Sequence, residues 1–161
     1  MIRSLIAITV MVASSAGDAQ TSAPSGRADF DRMLSGITTI KLSGSCKRLV
    51  TPEGDQTPLC DNELINLAFA SGNSSFIATM KGKGGITFRG RDSAAKGDVA
   101  TLKVSTILVT GADVAPFVSL NAKGVCTYTN PNKGPVQVNC TANTDAGKYE
   151  LSFVSDGTLP K

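Results

Sequence analysis

The chain of 161 residues has no histidine, and aromatic side chains make up only 5% of it. Without an imidazole, no mechanism that relies on histidine as base, proton shuttle or metal ligand is open to it. Sparse aromatics also argue against nucleic-acid recognition by base stacking: Phe88 sits between basic residues, but its parity with Ile86 points it to a core. Charge is modest, with 16 Lys and Arg against 13 Asp and Glu, a net +3. No apolar run reaches the roughly 20 residues needed to cross a bilayer. Redox catalysis lacks a C-x-x-C pair. The segment Lys81-Gly82-Lys83-Gly84-Gly85 has the composition of a phosphate loop, but neither its ordered glycines nor its Lys-Ser/Thr ending.

The first apolar run has a different use. Arg3 gives a positive start, Leu5 to Ala13 a short apolar stretch, and Ser14 to Ala19 small residues suited to a peptidase. Residues 1–19 are read as a secretory signal, with Gly17 and Ala19 favouring a cut after Ala19. Its loss removes one basic and one acidic residue, so the net charge stays +3, and about 142 residues remain, enough for one core. The expected address is secreted or periplasmic, with no transmembrane anchor left after processing.

Residues 20–35 are rich in Ser, Ala, Gln, Pro and Gly and are expected to be flexible, residues 36–155 to form a single β-rich domain, and residues 156–161 a flexible tail. Within the domain the signals are alternation and glycine-containing turns. Ile37 to Ser43 begins as a strand that continues, bent or broken, through Ser45 to Val50. Ile65, Leu67 and Phe69 alternate with polar or small residues and lead across Ser71-Gly72 to Phe76, Ala78 and Met80, a hairpin; a short helix capped by Asp61 is the rival there. Val99 to Thr110 alternates and then changes phase at Thr106-Ile107, marking a bulge or a break. The last unit is a meander, with Val136, Val138 and Cys140 sharing one parity and Tyr149, Leu151 and Phe153 lining the next strand. The expected fold is all-β, a small antiparallel β-sandwich or partly closed barrel.

Four cysteines in an exported chain point to disulfides. Cys126 and Cys140 are 14 positions apart, centred on the turn Pro131-Asn132-Lys133-Gly134-Pro135, so a symmetric hairpin sets them opposite one another. Cys46 and Cys60 repeat the spacing 80 positions earlier around Glu53, and Gly44-x-Cys46 matches Gly124-x-Cys126. The predicted pairs are Cys46 with Cys60 and Cys126 with Cys140. A zinc ribbon would need closely spaced C-x2-4-C pairs, so no metal is assigned, and no cofactor motif is present.

For function the chain offers a basic stretch. Residues 81–103 hold Lys81, Lys83, Arg89, Arg91, Lys96 and Lys103 against Asp92 and Asp98. Lys81, Lys83, Arg89 and Arg91 are the candidate binding residues for an envelope protein or anionic polymer; a solvated edge that discourages sheet extension is the plainer reading. The rival function is a histidine-independent hydrolase built on Glu53, Asp55, Asp61 and Glu63, which would need two carboxyl groups about 5 to 9.5 Å apart across a cleft. A structural envelope protein without a small ligand is the third. Oligomeric state is open.

Overall fold

Alternation in this chain becomes long antiparallel strands joined by short turns. The computed structural model describes residues 36–112 and 117–158; the predicted export segment, the 20–35 segment and the last three residues lie outside them. The strands are β1 (Ile37–Thr51), β2 (Gly54–Asp55), β3 (Cys60–Phe69), β4 (Asn73–Met80), β5 (Gly84–Lys96), β6 (Val99–Thr110), β7 (Val118–Thr129), β8 (Gln137–Thr144) and β9 (Gly147–Ser155). Each neighbours the next in space, β1 also pairs with β9, and β2 is a two-residue appendage on β1. The circuit is therefore a closed eight-stranded antiparallel barrel, one of the two all-β forms the pattern allows, and closure gives each of its eight strands two neighbours.

β1 makes closure possible. Its first half, Ile37 to Ser43, pairs with β3, and its second half, Gly44 to Val50, leaves β3 and pairs with β9. The changeover falls at Gly44, where a Cβ would strike the backbone of Val154 and Ser155. The bent first strand of the sequence reading is this single element with two partners. The phase change in β6 is a bulge: against β5, Val104 pairs with Gly90 and Thr106 with Arg89, so Ser105 is extra and the inward set shifts from Leu102 and Val104 to Ile107.

An eight-stranded barrel is just wide enough for side chains to fill. Phe76, Phe88 and Phe153 form the middle of the core with Leu49, Leu64, Leu102, Ile107 and Leu151, all at most 2% exposed. The meander residues Val138, Cys140, Ala142, Tyr149, Leu151 and Phe153 line the interior as alternation requires.

β3 departs from the sequence reading in its facing. Leu64, Asn66 and Ala68 sit opposite the buried Ala78, Phe76 and Ser74, so Ile65, Leu67 and Phe69 face outward. Asn66 is satisfied on the inner face, its amide donating to Ser74 Oγ (3.0 Å) and the Ser75 carbonyl (3.1 Å). On the outer face the Arg89 guanidinium lies 5.8 Å from the centre of the Phe69 ring.

Both disulfides form as the spacing predicts. Cys126 and Cys140 are directly paired on β7 and β8, with Cα atoms 3.9 Å apart, inside the barrel. Cys46–Cys60 has Cα atoms 6.0 Å apart and ties β1 to the start of β3, beyond the point where their ladder ends.

Candidate functional site

The four basic residues singled out in the sequence divide into two pairs. Lys81 and Lys83 lie in the turn between β4 and β5, at the end of the barrel where β1 and β6 also finish. Arg89 and Arg91 stand on the outer face of β5, flanking buried Gly90. Arg89 lies six residue steps beyond Lys83, about 20 Å along the strand.

The outer pair gains a partner that the sequence reading counted in the basic stretch but did not place in the site. Lys103 on β6 lies directly opposite Arg91, and alternation identifies it, since buried Leu102 and Val104 force Lys103 outward. Like charges facing across a ladder are destabilising. Four cations elsewhere on the barrel are paired, Lys41 with Glu63, Arg48 and Lys148 with Glu150, and Lys133 with Asp98, whereas Lys47, Lys81, Lys83, Lys96 and Lys123 have no salt bridge with a described residue. Among the described residues, Arg89, Arg91 and Lys103 have no salt bridge. Beyond Lys103 the next outward residue in the row is Val125, 42% exposed. The result is a cationic outer face on β5 and β6, with Arg89 set by its contact with Phe69.

The carboxylates do not converge. Asp55 accepts from Thr57 Oγ1 (2.5 Å) and from the Thr57 amide (2.9 Å), bonds that hold its pKa below the usual value. Asp61 accepts from Thr79 Oγ1 at 2.7 Å, and Glu63 meets Lys41 at 3.6 Å on the outer face. Glu53 alone of the four lines the mouth of the barrel. Glu150, its pKa lowered by bonds from Lys148 and Arg48, fastens the β1–β9 seam. The sequence also contains an S-x-x-K motif at 93–96, a spacing that brings Ser and Lys together on a helix; here Ser93 and Lys96 lie on β5, where that turn-over-turn contact does not arise.

The two ends of the barrel differ. At one, Tyr128 packs edge-on to Phe76 with ring centres 5.1 Å apart and donates its hydroxyl to Asp92 at 3.0 Å. Burial, then the Asp92 charge and hydrogen bond, push its pKa well up. At the other end a cavity of about 360 Å³ opens between the turns, with Met80, Ile86 and Tyr149 beneath and Glu53 and Lys83 on its wall. The Tyr149 phenol is pushed up by burial and then by the Glu53 charge.

All four cysteines are disulfide-bonded, and among the described residues no group of three or more His, Cys, Asp or Glu could hold a metal ion. No helix among them is long and apolar enough to cross a membrane. The apolar residues fill the interior while charged side chains stand outside, the inverse of a lipid-facing barrel. Comparison with known protein families, curated proteins and solved structures finds no match.

Proposed function

We propose that this protein is a non-catalytic binding module, exported from the cytoplasm, that holds an anionic polymer against the outer face of β5 and β6. The observation that carries the reading is the facing pair Arg91 and Lys103 with Arg89 beside it, a repulsive arrangement in which none of the three forms a salt bridge with a described residue. An anionic chain laid across the strands relieves that repulsion and gains charge-assisted hydrogen bonds from two guanidinium groups. A rigid barrel suits the task because the cations project from paired backbone. Export is supported by the N-terminal pattern and by two disulfides, which persist in oxidising compartments. The hydrolase reading loses its basis in the dispersal of Asp55, Asp61 and Glu63 into local bonds.

The test is binding of oxidised protein to polyphosphate and to heparin, with uncharged dextran as control, at about 0.1 M salt and above. R89E/R91E/K103E should bind both polyanions at least about tenfold more weakly, equivalent to about 1.4 kcal/mol. K81E/K83E, reversed at the distant turn, should stay within about twofold, far less than one such step. Equal loss in the two variants, or no polyanion binding by the parent protein, overturns the proposal.

A further inference from the structure

We propose that the open mouth of the barrel is a separate site for a small zwitterion with an apolar side chain, the chemistry of a free aliphatic amino acid. Three observations converge there. The first is size and lining: about 360 Å³ lies near the lower end of the range for small-molecule sites, and its floor is the apolar surface of Met80, Ile86 and Tyr149. That surface suits an aliphatic side chain.

The second is Tyr149 itself. It is 5% exposed, yet its hydroxyl makes no hydrogen bond with another described residue. A buried phenol ordinarily finds a partner, as Tyr128 does in Asp92 at the other end. No side-chain oxygen or nitrogen among the described residues is both sealed from solvent and unbonded, so the Tyr149 hydroxyl is reached from outside, through the cavity it lines. As a phenol it is a protonated donor at neutral pH.

The third is charge. Glu53 and Lys83 come from different turns, line the same cavity, and are in no salt bridge with each other or with another described residue. Their backbones are fixed locally, the Glu53 amide donating to Thr51 Oγ1 and the Lys83 amide to the Met80 carbonyl. Among the described residues, one wall group of each sign beside an apolar floor selects a molecule that carries both. An α-ammonium would meet Glu53, the α-carboxylate would meet Lys83 and take the Tyr149 hydrogen bond, and the aliphatic group would cover Met80 and Ile86. A polyanion finds no such match here, which separates this site from the outer face.

The chain has only two tyrosines, so each reports one end of the barrel. Ring-labelled tyrosine in the full oxidised protein should show, by nuclear magnetic resonance, saturable shifts of Tyr149 with L-leucine while Tyr128 stays in place. N-acetyl-L-leucine, lacking the ammonium, and L-leucinamide, lacking the carboxylate, should each bind at least about tenfold more weakly. E53Q should weaken L-leucine without further effect on the N-acetyl compound, and K83M should do the same with respect to the amide. A146W, at an exposed turn position on the cavity wall, should block binding with the melting temperature retained. The proposal is overturned by no Tyr149 shift with L-leucine, by equal affinity for the three compounds, or by parental affinity for L-leucine in both E53Q and K83M.

Discussion

Gly124 has no side chain because none would fit. A Cβ there would run into the Thr141 carbonyl and Ala142 on β8, just as one at Gly44 would strike β9. Neither glycine has a positive φ, so close approach of backbones decides these positions. G124A should cost about 1–3 kcal/mol, read as a lower urea midpoint, whereas G111A, with open space and no positive φ, should stay within about 0.5 kcal/mol. The Gly-x-Cys match was visible in the sequence, but its reason lay in a neighbouring strand about which one strand's letters say nothing. The tyrosines set the alkaline limit at the same scale. Both phenols have pKa values raised in the fold, Tyr128 most by burial and then by Asp92. The folded protein therefore keeps these protons at a pH where the unfolded chain releases them, and the stability they contribute is complete below about pH 10 and lost as pH rises above it. Asp55 and Glu150, lowered in the fold, act in the opposite sense, contributing above about pH 4 and losing that contribution below it. Melting temperatures measured across pH should show a plateau between, and Y128F should flatten its alkaline side; an unchanged alkaline slope in Y128F would count against the assignment.

At the scale of elements, the two disulfides have the same spacing and different work. Cys126–Cys140 joins residues already paired in a ladder and fully within the core, whereas Cys46–Cys60 joins two strands where their ladder has parted. Each closes a loop worth on the order of 3 kcal/mol in the chain-entropy model. C126A/C140A also leaves a cavity among buried neighbours, so its loss should exceed that of C46A/C60A in urea unfolding; the reverse order would show that the β1 changeover depends more on its covalent tie than packing indicates. The pairing itself was legible because turn centre and cysteine midpoint coincide at Lys133, and hairpin symmetry is a local property. Facing was harder. Ile65, Leu67 and Phe69 outrank Asn66 and Ala68 on hydrophobicity, but Asn66 goes inward because Ser74 and the Ser75 carbonyl satisfy it there. Charge placement behaved likewise: parity set Arg89 and Arg91 on one face, while strand register brought Lys103 to them and left Lys81 and Lys83 at the far turn. What the sequence could not carry was register between strands.

The whole molecule depends on one long-range seam. β1 and β9 join residues near 44–50 to residues near 150–155, across nearly the full length of the described chain, and every other ladder of the barrel is between sequential strands apart from the passage past β2. Such pairing is slow to form because the ends must meet before the contact stabilises anything. Once formed it removes the last free edges, so opening the seam exposes two strands and breaks the core around Leu49, Leu151 and Phe153 together. The Arg48–Glu150 bond at 2.7 Å crosses the same seam on the outer face, where solvent screens it and its contribution is small. Cohesion therefore comes from the buried ladder. The amides of Ser152 and Val154, which face β1 because that of Ser155 turns to the Val136 carbonyl, should exchange hydrogen only through global unfolding, with the same free energy that urea denaturation gives, and those in the turns at 70–72 and 97–98 should exchange much faster. Exchange at the seam well below the global value would show a barrel that opens there while β4 to β7 stay folded, and the cationic face on β5 and β6 would then keep its geometry in the open form.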